Sequence, residues 1–200
     1  MKRWIGRLAV VLLLSLATAA GLALYASHDP VYTIHEWIDA SHFRQYDGII
    51  QRAGEKYGVD PMLIKAVIWR ESAFHPEKVG KDGERGLMQV TEAAAKDWAR
   101  SQKLEGFEPE KLFDPGTNIE VGVWYLKQSL QYYSGKDDPV PFALAEYNAG
   151  RRRVHQWIGD DNLGSVTADE MQENISFPST RNYVHTTLDR YNFYKQRAKM

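Results

Sequence analysis

The sequence predicts an all-α fold, and three observations carry that reading. Apolar residues recur at helical spacing, as in Ile119, Val123, Leu126 and Leu130, the pattern of a helix that buries one face. Helix starts and stops punctuate the chain: Asp60-Pro61 and Asp138-Pro139 open helices, and Gly58 and Asn148-Ala149-Gly150 close them. No apolar–polar alternation of useful strand length occurs in the 200 residues.

The N-terminus is a separate signal. Lys2, Arg3 and Arg7 precede an uncharged run from Leu8 to Ala26, close to the ~20 residues that span a bilayer as a helix. Basic residues on that flank keep the start inside the cytoplasm and send the body out. A cleaved signal peptide is the other reading, because Ala17, Thr18 and Ala19 resemble a cleavage site. The run stays apolar through Leu22 to Tyr25, which favours an uncleaved transmembrane anchor. The expected organisation is 1–26 membrane anchor or signal peptide, 27–46 linker or accessory segment, and 47–197 a single globular domain. In 27–46, His35, Trp37 and Phe43 are expected on a short helix or packed onto the domain.

Within the domain, Asp47 is expected to cap a helix carrying Ile49, Ile50, Ala53 and Tyr57. The next helix, opened by Asp60-Pro61, is so apolar from Met62 to Arg70 that it must be nearly central. Thr91 caps a short helix with Ala94, Ala95 and Trp98, and a long amphipathic helix is expected from about Asn118. Phe142 to Tyr147 and Arg151 to Ile158 read as two further helices. Residues 159–177 are polar and loop-like, although Thr167 and Glu170 have capping-box spacing. Ser179 starts a last long helix with Tyr183, Thr187, Leu188, Tyr191 and Tyr194.

Composition removes several chemistries. There is no cysteine, so disulfides and zinc–thiolate sites are excluded. The six histidines are scattered without metal-ligand spacing, and the net charge of −1 gives no nucleic-acid-binding surface. No Gly-rich phosphate loop follows a strand, and no Ser or Cys sits in a nucleophile setting. Neither a cofactor nor a metal is expected.

Carboxylate chemistry remains, and Glu71 is the best placed acid. It closes an apolar helix, where the negative end of the dipole disfavours ionisation. Ile68, Trp69 and Phe74 are near in sequence and would desolvate it. Both effects raise a carboxyl pKa towards the range useful for protonating a leaving oxygen. An ordinary solvated Glu at a helix end is the alternative.

Five blocks in order bear on that choice. They are Glu71-Ser72 with Phe74 and Pro76; Gly83 with Gly86-Leu87-Met88-Gln89; Asp114-Pro115 with Asn118, Ile119 and Gly122; Ala145 with Tyr147-Asn148-Ala149-Gly150; and Thr180-Arg181 with Tyr183-Val184. From about Asp47 to Tyr194 the chain resembles the catalytic domain of family 1 lytic transglycosylases, which cut bacterial peptidoglycan. The resemblance implies a lysozyme-like fold and Glu71 as the sole catalytic acid/base. It further implies help from the substrate's own N-acetyl group, and a 1,6-anhydromuramyl product formed without water.

The remaining site residues take their expected roles from the same resemblance. Ser72 would bond Glu71 or an acetamido group, or else cap a turn. Met88 would offer an apolar wall to a sugar face and Gln89 an amide. Tyr147 and Asn148 would line the cleft, and Tyr183 would point its hydroxyl at Glu71 or the acetamido group. Gly86 would let backbone approach the groove. Ala73, Gly80 and Ser179 depart from the family pattern, in which Gly, Ser and Glu respectively are frequent. Glu84 and Glu146 place extra carboxylates inside site blocks; each would pair an Arg such as Arg85 or Arg151, or else position water for hydrolysis. Arg151-Arg152-Arg153 would attract acidic groups of the wall polymer or form a solvated face.

The expected activity is therefore cleavage of the N-acetylmuramic acid–N-acetylglucosamine β-1,4 bond. A lysozyme-type hydrolase and a non-catalytic peptidoglycan-binding scaffold are the alternatives. The expected partners are peptidoglycan glycan strands, the membrane through the N-terminal helix, and possible proteins of an envelope complex, with no nucleic acid. The expected place is the cell envelope: an inner-membrane anchor with a periplasmic domain, or the periplasm if the segment is cleaved.

Overall fold

The computed structural model describes residues 2–26, 30–159 and 165–198. Side chains at 2–5, 9, 23–26 and 30–32 lie outside the described residues, as do positions 27–29 of the expected linker and 160–164 of the expected loop. The chain divides into two compact units, Met1–Arg44 and Gln45–Met200.

The first unit contains α1 (Lys2–Ala26), α2 (Pro30–Ile38) and α3 (Ala40–Arg44). The expected linker is thus largely helical. Along α1, Leu8, Val11, Leu13 and Leu16 are all more than half exposed. Among the described residues, no helix is long and apolar enough to cross a membrane. The run expected to span, 8–26, includes side chains 9 and 23–26, which are outside that set.

The second unit is built from α4 (Asp47–Tyr57), α5 (Pro61–Ser72), α6 (Glu92–Ser101), a 3₁₀ turn (Pro109–Phe113), α7 (Pro115–Tyr132), α8 (Pro139–Ala149), α9 (Arg151–Ile158), α10 (Ala168–Asn174) and α11 (Pro178–Ala198). Only isolated bridges, Val79 to Arg85 and Arg85 to Val90, interrupt the helical pattern among the described residues. The fold is all-α.

Two helices form its centre. In α5, Leu63, Ile64, Ala66, Val67 and Ile68 are all buried, each large side chain contributing roughly 1.5–3 kcal/mol of burial. Asp60 caps this helix by accepting from the Met62 N–H at 2.8 Å, with Pro61 in the first turn. In α8, Pro141 to Ala145 are buried on every side, as a helix without a polar face must be. Helix α11 packs against both α5 and α8, α7 packs against α8, and α4 packs against α5 and α7. This arrangement gathers the ends of α5, α8 and a face of α11 at one place.

Three boundaries differ from expectation, each for a local reason. Asp47 is the first helical residue rather than the cap, and its carboxylate instead takes Lys65 Nζ at 2.5 Å. Helix α7 begins at Pro115, because Asp114 accepts from the Thr117 N–H at 2.8 Å. The capping box of Thr167 and Glu170 does form, and it starts α10 inside the stretch expected to be loop.

Helix α5 ends on two left-handed residues without glycine, Ala73 at φ 49° and Phe74 at φ 65°. The Ala73 N–H still reaches the Trp69 carbonyl at 3.0 Å. A Cβ in this region costs about 1–2 kcal/mol, partly offset by the greater unfolded-state entropy of Gly. Ala73→Gly is accordingly expected to stabilise the fold by about 0.5–1 kcal/mol. A urea midpoint that is unchanged or lower in the variant would contradict this.

Candidate active site

The bend after α5 leaves Glu71 half-buried at the helix end, facing a cavity of about 370 Å³. Its walls come from α5 (Arg70 and Glu71), the loop beyond (Lys78, Gly80, Lys81, Glu84, Gln89 and Thr91), α8 (Tyr147 and Asn148) and α11 (Tyr183). A smaller cavity of about 90 Å³ shares Gln89, Thr91 and Tyr147 and continues to Gly122 and Tyr125. The two cavities adjoin at these shared residues, and Glu71 lines the larger one.

Burial pushes the Glu71 carboxyl up to about 7. The Tyr183 hydrogen bond and the charges of Arg70 and Lys78 oppose that rise, while Glu84 adds to it. Tyr183 is buried and donates its hydroxyl to Glu71 Oε1 at 2.6 Å. Burial, followed by the neighbouring Glu71 charge, holds the Tyr183 phenol well above its ordinary pKa, so it remains a donor. Lys78 Nζ also bonds the backbone carbonyl of Glu71. A carboxyl poised near neutrality can give a proton and then take one back.

The hydroxyl of Tyr183 favours the ionised form of Glu71. Tyr183→Phe should therefore raise the Glu71 pKa further and move the alkaline limb of kcat/KM to higher pH. The lost bond to a charged group should lower kcat by about tenfold or more. A pH profile with an unmoved limb would argue against the contact.

The turn that carries Arg85, Gly86 and Met88 is held by Asn118, which is fully buried. Its Oδ1 accepts from the Met88 N–H at 2.7 Å, and its Nδ2 donates to the Arg85 and Leu112 carbonyls at 2.7 and 2.8 Å. Gly86, at φ 76°, lies so close that a Cβ there would fall 2.3 Å from Asn118 Nδ2. Its role is to admit this strut, whereas the expectation was approach to the groove. Tyr147 donates to the Met88 carbonyl at 2.8 Å and ties α8 to the same turn.

Two of the expected substrate contacts are turned away from the cavity. Ser72 is buried and its hydroxyl donates back to the Ile68 carbonyl at 3.1 Å, satisfied within its own helix. Met88 is completely buried, because α7 approaches at Gly122, whose Cα faces the Met88 side chain. Gln89 lines the cavity, but its amide Nε2 is held by the Lys78 and Gly86 carbonyls at 3.0 and 2.9 Å, leaving Oε1. Tyr147, Asn148 and Tyr183 all line the cavity with Glu71.

The two extra carboxylates have opposite fates. Glu146 is buried and pairs with Arg151, whose Nε and Nη2 reach it at 2.9 and 2.8 Å. Ser129 and Tyr133 donate to it as well, at 2.7 and 3.0 Å. Glu84 lines the cavity and is not paired with Arg85, which instead lies 3.9 Å from Glu110. Of the triple-arginine run, Arg151 is taken by Glu146, and Arg153 stacks over Phe177. The cations that do line the cavity are Arg70, Lys78 and Lys81. Sequence reasoning missed them, though the polar composition of the loop after Glu71 was a usable signal for Lys78 and Lys81. No group of three or more His, Asp or Glu side chains among the described residues could hold a metal ion.

An all-α domain with one elevated carboxyl at a helix end, a tyrosine hydroxyl on it and an open groove defines the lysozyme-like class. Within that class, the transglycosylase SLT domain model matches residues 48–166. The match covers more than half of the chain, and the chain belongs to that family.

Solved structures agree. An inactive glutamate-to-glutamine mutant of the lytic transglycosylase Slt from Pseudomonas aeruginosa is 28% identical, with a TM-score of 0.69 over 78% of this chain and 25% of that one. The 70-kDa soluble lytic transglycosylase from Escherichia coli is 27% identical, with a TM-score of 0.70 over 88% of this chain and 30% of that one. A complex of the 70-kDa soluble lytic transglycosylase with bulgecin A is 28% identical, with a TM-score of 0.69 and coverage of 88% and 30%. The chain thus spans between 25% and 30% of the length of these structures.

Proposed function

We propose that this protein is a peptidoglycan lytic transglycosylase in which Glu71 is the only catalytic carboxyl. The observation that carries the reading is the raised pKa of Glu71, about 7, in a groove where Tyr183 fixes one of its oxygens. Protonated Glu71 gives its proton to the β-1,4 glycosidic oxygen between N-acetylmuramic acid and N-acetylglucosamine. The muramyl N-acetyl oxygen stabilises the anomeric carbon as that bond breaks. Ionised Glu71 then accepts the proton of the same sugar's 6-hydroxyl, whose oxygen bonds to the anomeric carbon. The acid is restored and a 1,6-anhydro ring is formed, so no water is consumed.

The inactive glutamate-to-glutamine mutant known for the Pseudomonas aeruginosa protein supports a glutamate-dependent reaction. The exposed leucines and valines of α1 support the N-terminal anchor, which would place the second unit in the periplasm at the inner membrane. The test is digestion of purified sacculi with the full chain, with products read by mass spectrometry. Anhydromuramyl ends are expected. Reducing ends would favour a lysozyme-type hydrolase with Glu84 as the second carboxylate, and intact strands would favour a glycan-binding scaffold.

A further inference from the structure

Glu84 has a placement that the single-acid reaction does not use. The loop doubles back on itself at Gly80, whose N–H reaches the Glu84 carbonyl at 2.7 Å, and the Gly83 N–H returns to the Gly80 carbonyl at 3.2 Å. The Glu84 side chain then folds over the turn and accepts from the Asp82 N–H at 3.1 Å through Oε2. That oxygen lies directly above Gly80: a Cβ built there would fall 2.2 Å from it. The same point is 2.9 Å from Gln89 Oε1. The amide nitrogen of Gln89 is already committed to two loop carbonyls, which fixes its oxygen on this side.

Two acceptor oxygens from different parts of the loop therefore converge over one glycine, in the cavity that holds Glu71. One is a half-buried carboxylate with no ion pair among the described residues. Its Oε2 has the Asp82 N–H as a donor, and a carboxylate has further lone pairs with which to accept from a ligand. Lys78 and Lys81 bring donors to the same cavity. A sugar hydroxyl suits such mixed surroundings, because it donates one bond and accepts others, whereas an amide N–H only donates.

The geometry points to Glu84 as a specificity-determining residue: with Gln89 it forms an acceptor pair over Gly80 that takes the hydrogen of a glycan hydroxyl seated beside Glu71. This rests on the glycan-cleaving reading above. The pair orients the sugar before and during reaction alike, so its loss falls on KM more than on kcat.

The test measures sacculus cleavage by the full chain and by Glu84→Ala, Glu84→Gln, Gly80→Ala and the Gly80→Ala/Glu84→Ala double variant. Each variant's melting temperature is recorded alongside to exclude unfolding. Glu84→Ala is expected to lower kcat/KM by about 10- to 100-fold, the worth of a hydrogen bond to a charged group. Glu84→Gln keeps a neutral acceptor oxygen on the Asp82 N–H and should recover part of that loss. Gly80→Ala must displace Glu84 and also presses on Gln89 Oε1, so it should cost at least as much as Glu84→Ala, and the double variant should be no worse than Gly80→Ala alone. Parental kcat/KM in Glu84→Ala overturns the proposal, as do equal losses in Glu84→Ala and Glu84→Gln, or additive losses in the double variant. No cleavage by the parent protein would instead overturn the glycan-cleaving reading itself.

Discussion

Glu71→Gln is expected to lower strand cleavage by about 10²–10⁴-fold, the usual contribution of a positioned general acid and base. Glutamine can neither give the proton to the glycosidic oxygen nor take it from the 6-hydroxyl. Groove shape and glycan binding should survive, because the substitution keeps the volume that Tyr183 contacts. The same variant carries a stability prediction with a definite sign. The Glu71 pKa is raised from 4.5 to about 7 in the folded protein. Between those values the native state holds a proton that the unfolded chain has lost, so native stability falls as pH rises through this window. Above it, an ionised, desolvated carboxylate destabilises the fold by an amount on the order of 3 kcal/mol. Thermal melts of parent and variant should therefore differ little near pH 4 and favour the variant by pH 8. A gap that does not change with pH would mean that burial does not raise this carboxyl.

Arg151→Ala is expected to be the most destabilising simple change outside the apolar core, at about 3 kcal/mol. The reason is asymmetric burial: the Arg151 side chain is 43% exposed and that of Glu146 only 3%. Removing the arginine leaves a buried carboxylate with Ser129 and Tyr133 as its remaining donors. Glu146→Gln removes the buried charge itself and leaves an arginine that water can solvate. Its cost should be smaller, about 1–2 kcal/mol. Urea denaturation of the two variants gives the order directly. Greater damage from Glu146→Gln would contradict the argument from desolvation. Because Glu146 does not line the cavity, surviving folded Arg151→Ala should cleave glycan near the parental rate.

What was legible in the sequence follows from the range of the interactions involved. Asp60, Thr91, Asp138 and the Thr167–Glu170 pair all cap helices within three residues of themselves, and such contacts are written locally. Glu71 was legible because the helix that desolvates it is continuous with it. Met88 was not: its burial depends on the approach of α7 at Gly122, 34 positions later in the chain. The orientation of Arg85 towards Glu110 rather than Glu84 is likewise a tertiary outcome. Asn118 belongs to one of the five blocks, yet its three bonds to Met88, Arg85 and Leu112 depend on chain segments brought together only by the fold. Asp114-Pro115 carries the same helix-start signal as Asp60-Pro61, three residues before the expected start at Asn118.

The central claim is that one carboxyl suffices because the substrate supplies the second group. Digestion of sacculi in oxygen-18-labelled water tests this most directly, with mass analysis of the newly formed muramyl ends. Anhydro ends carrying no label are expected, since the ring oxygen comes from the sugar's own 6-hydroxyl. Reducing ends with one labelled oxygen would show that water attacks the anomeric carbon, and would contradict the claim.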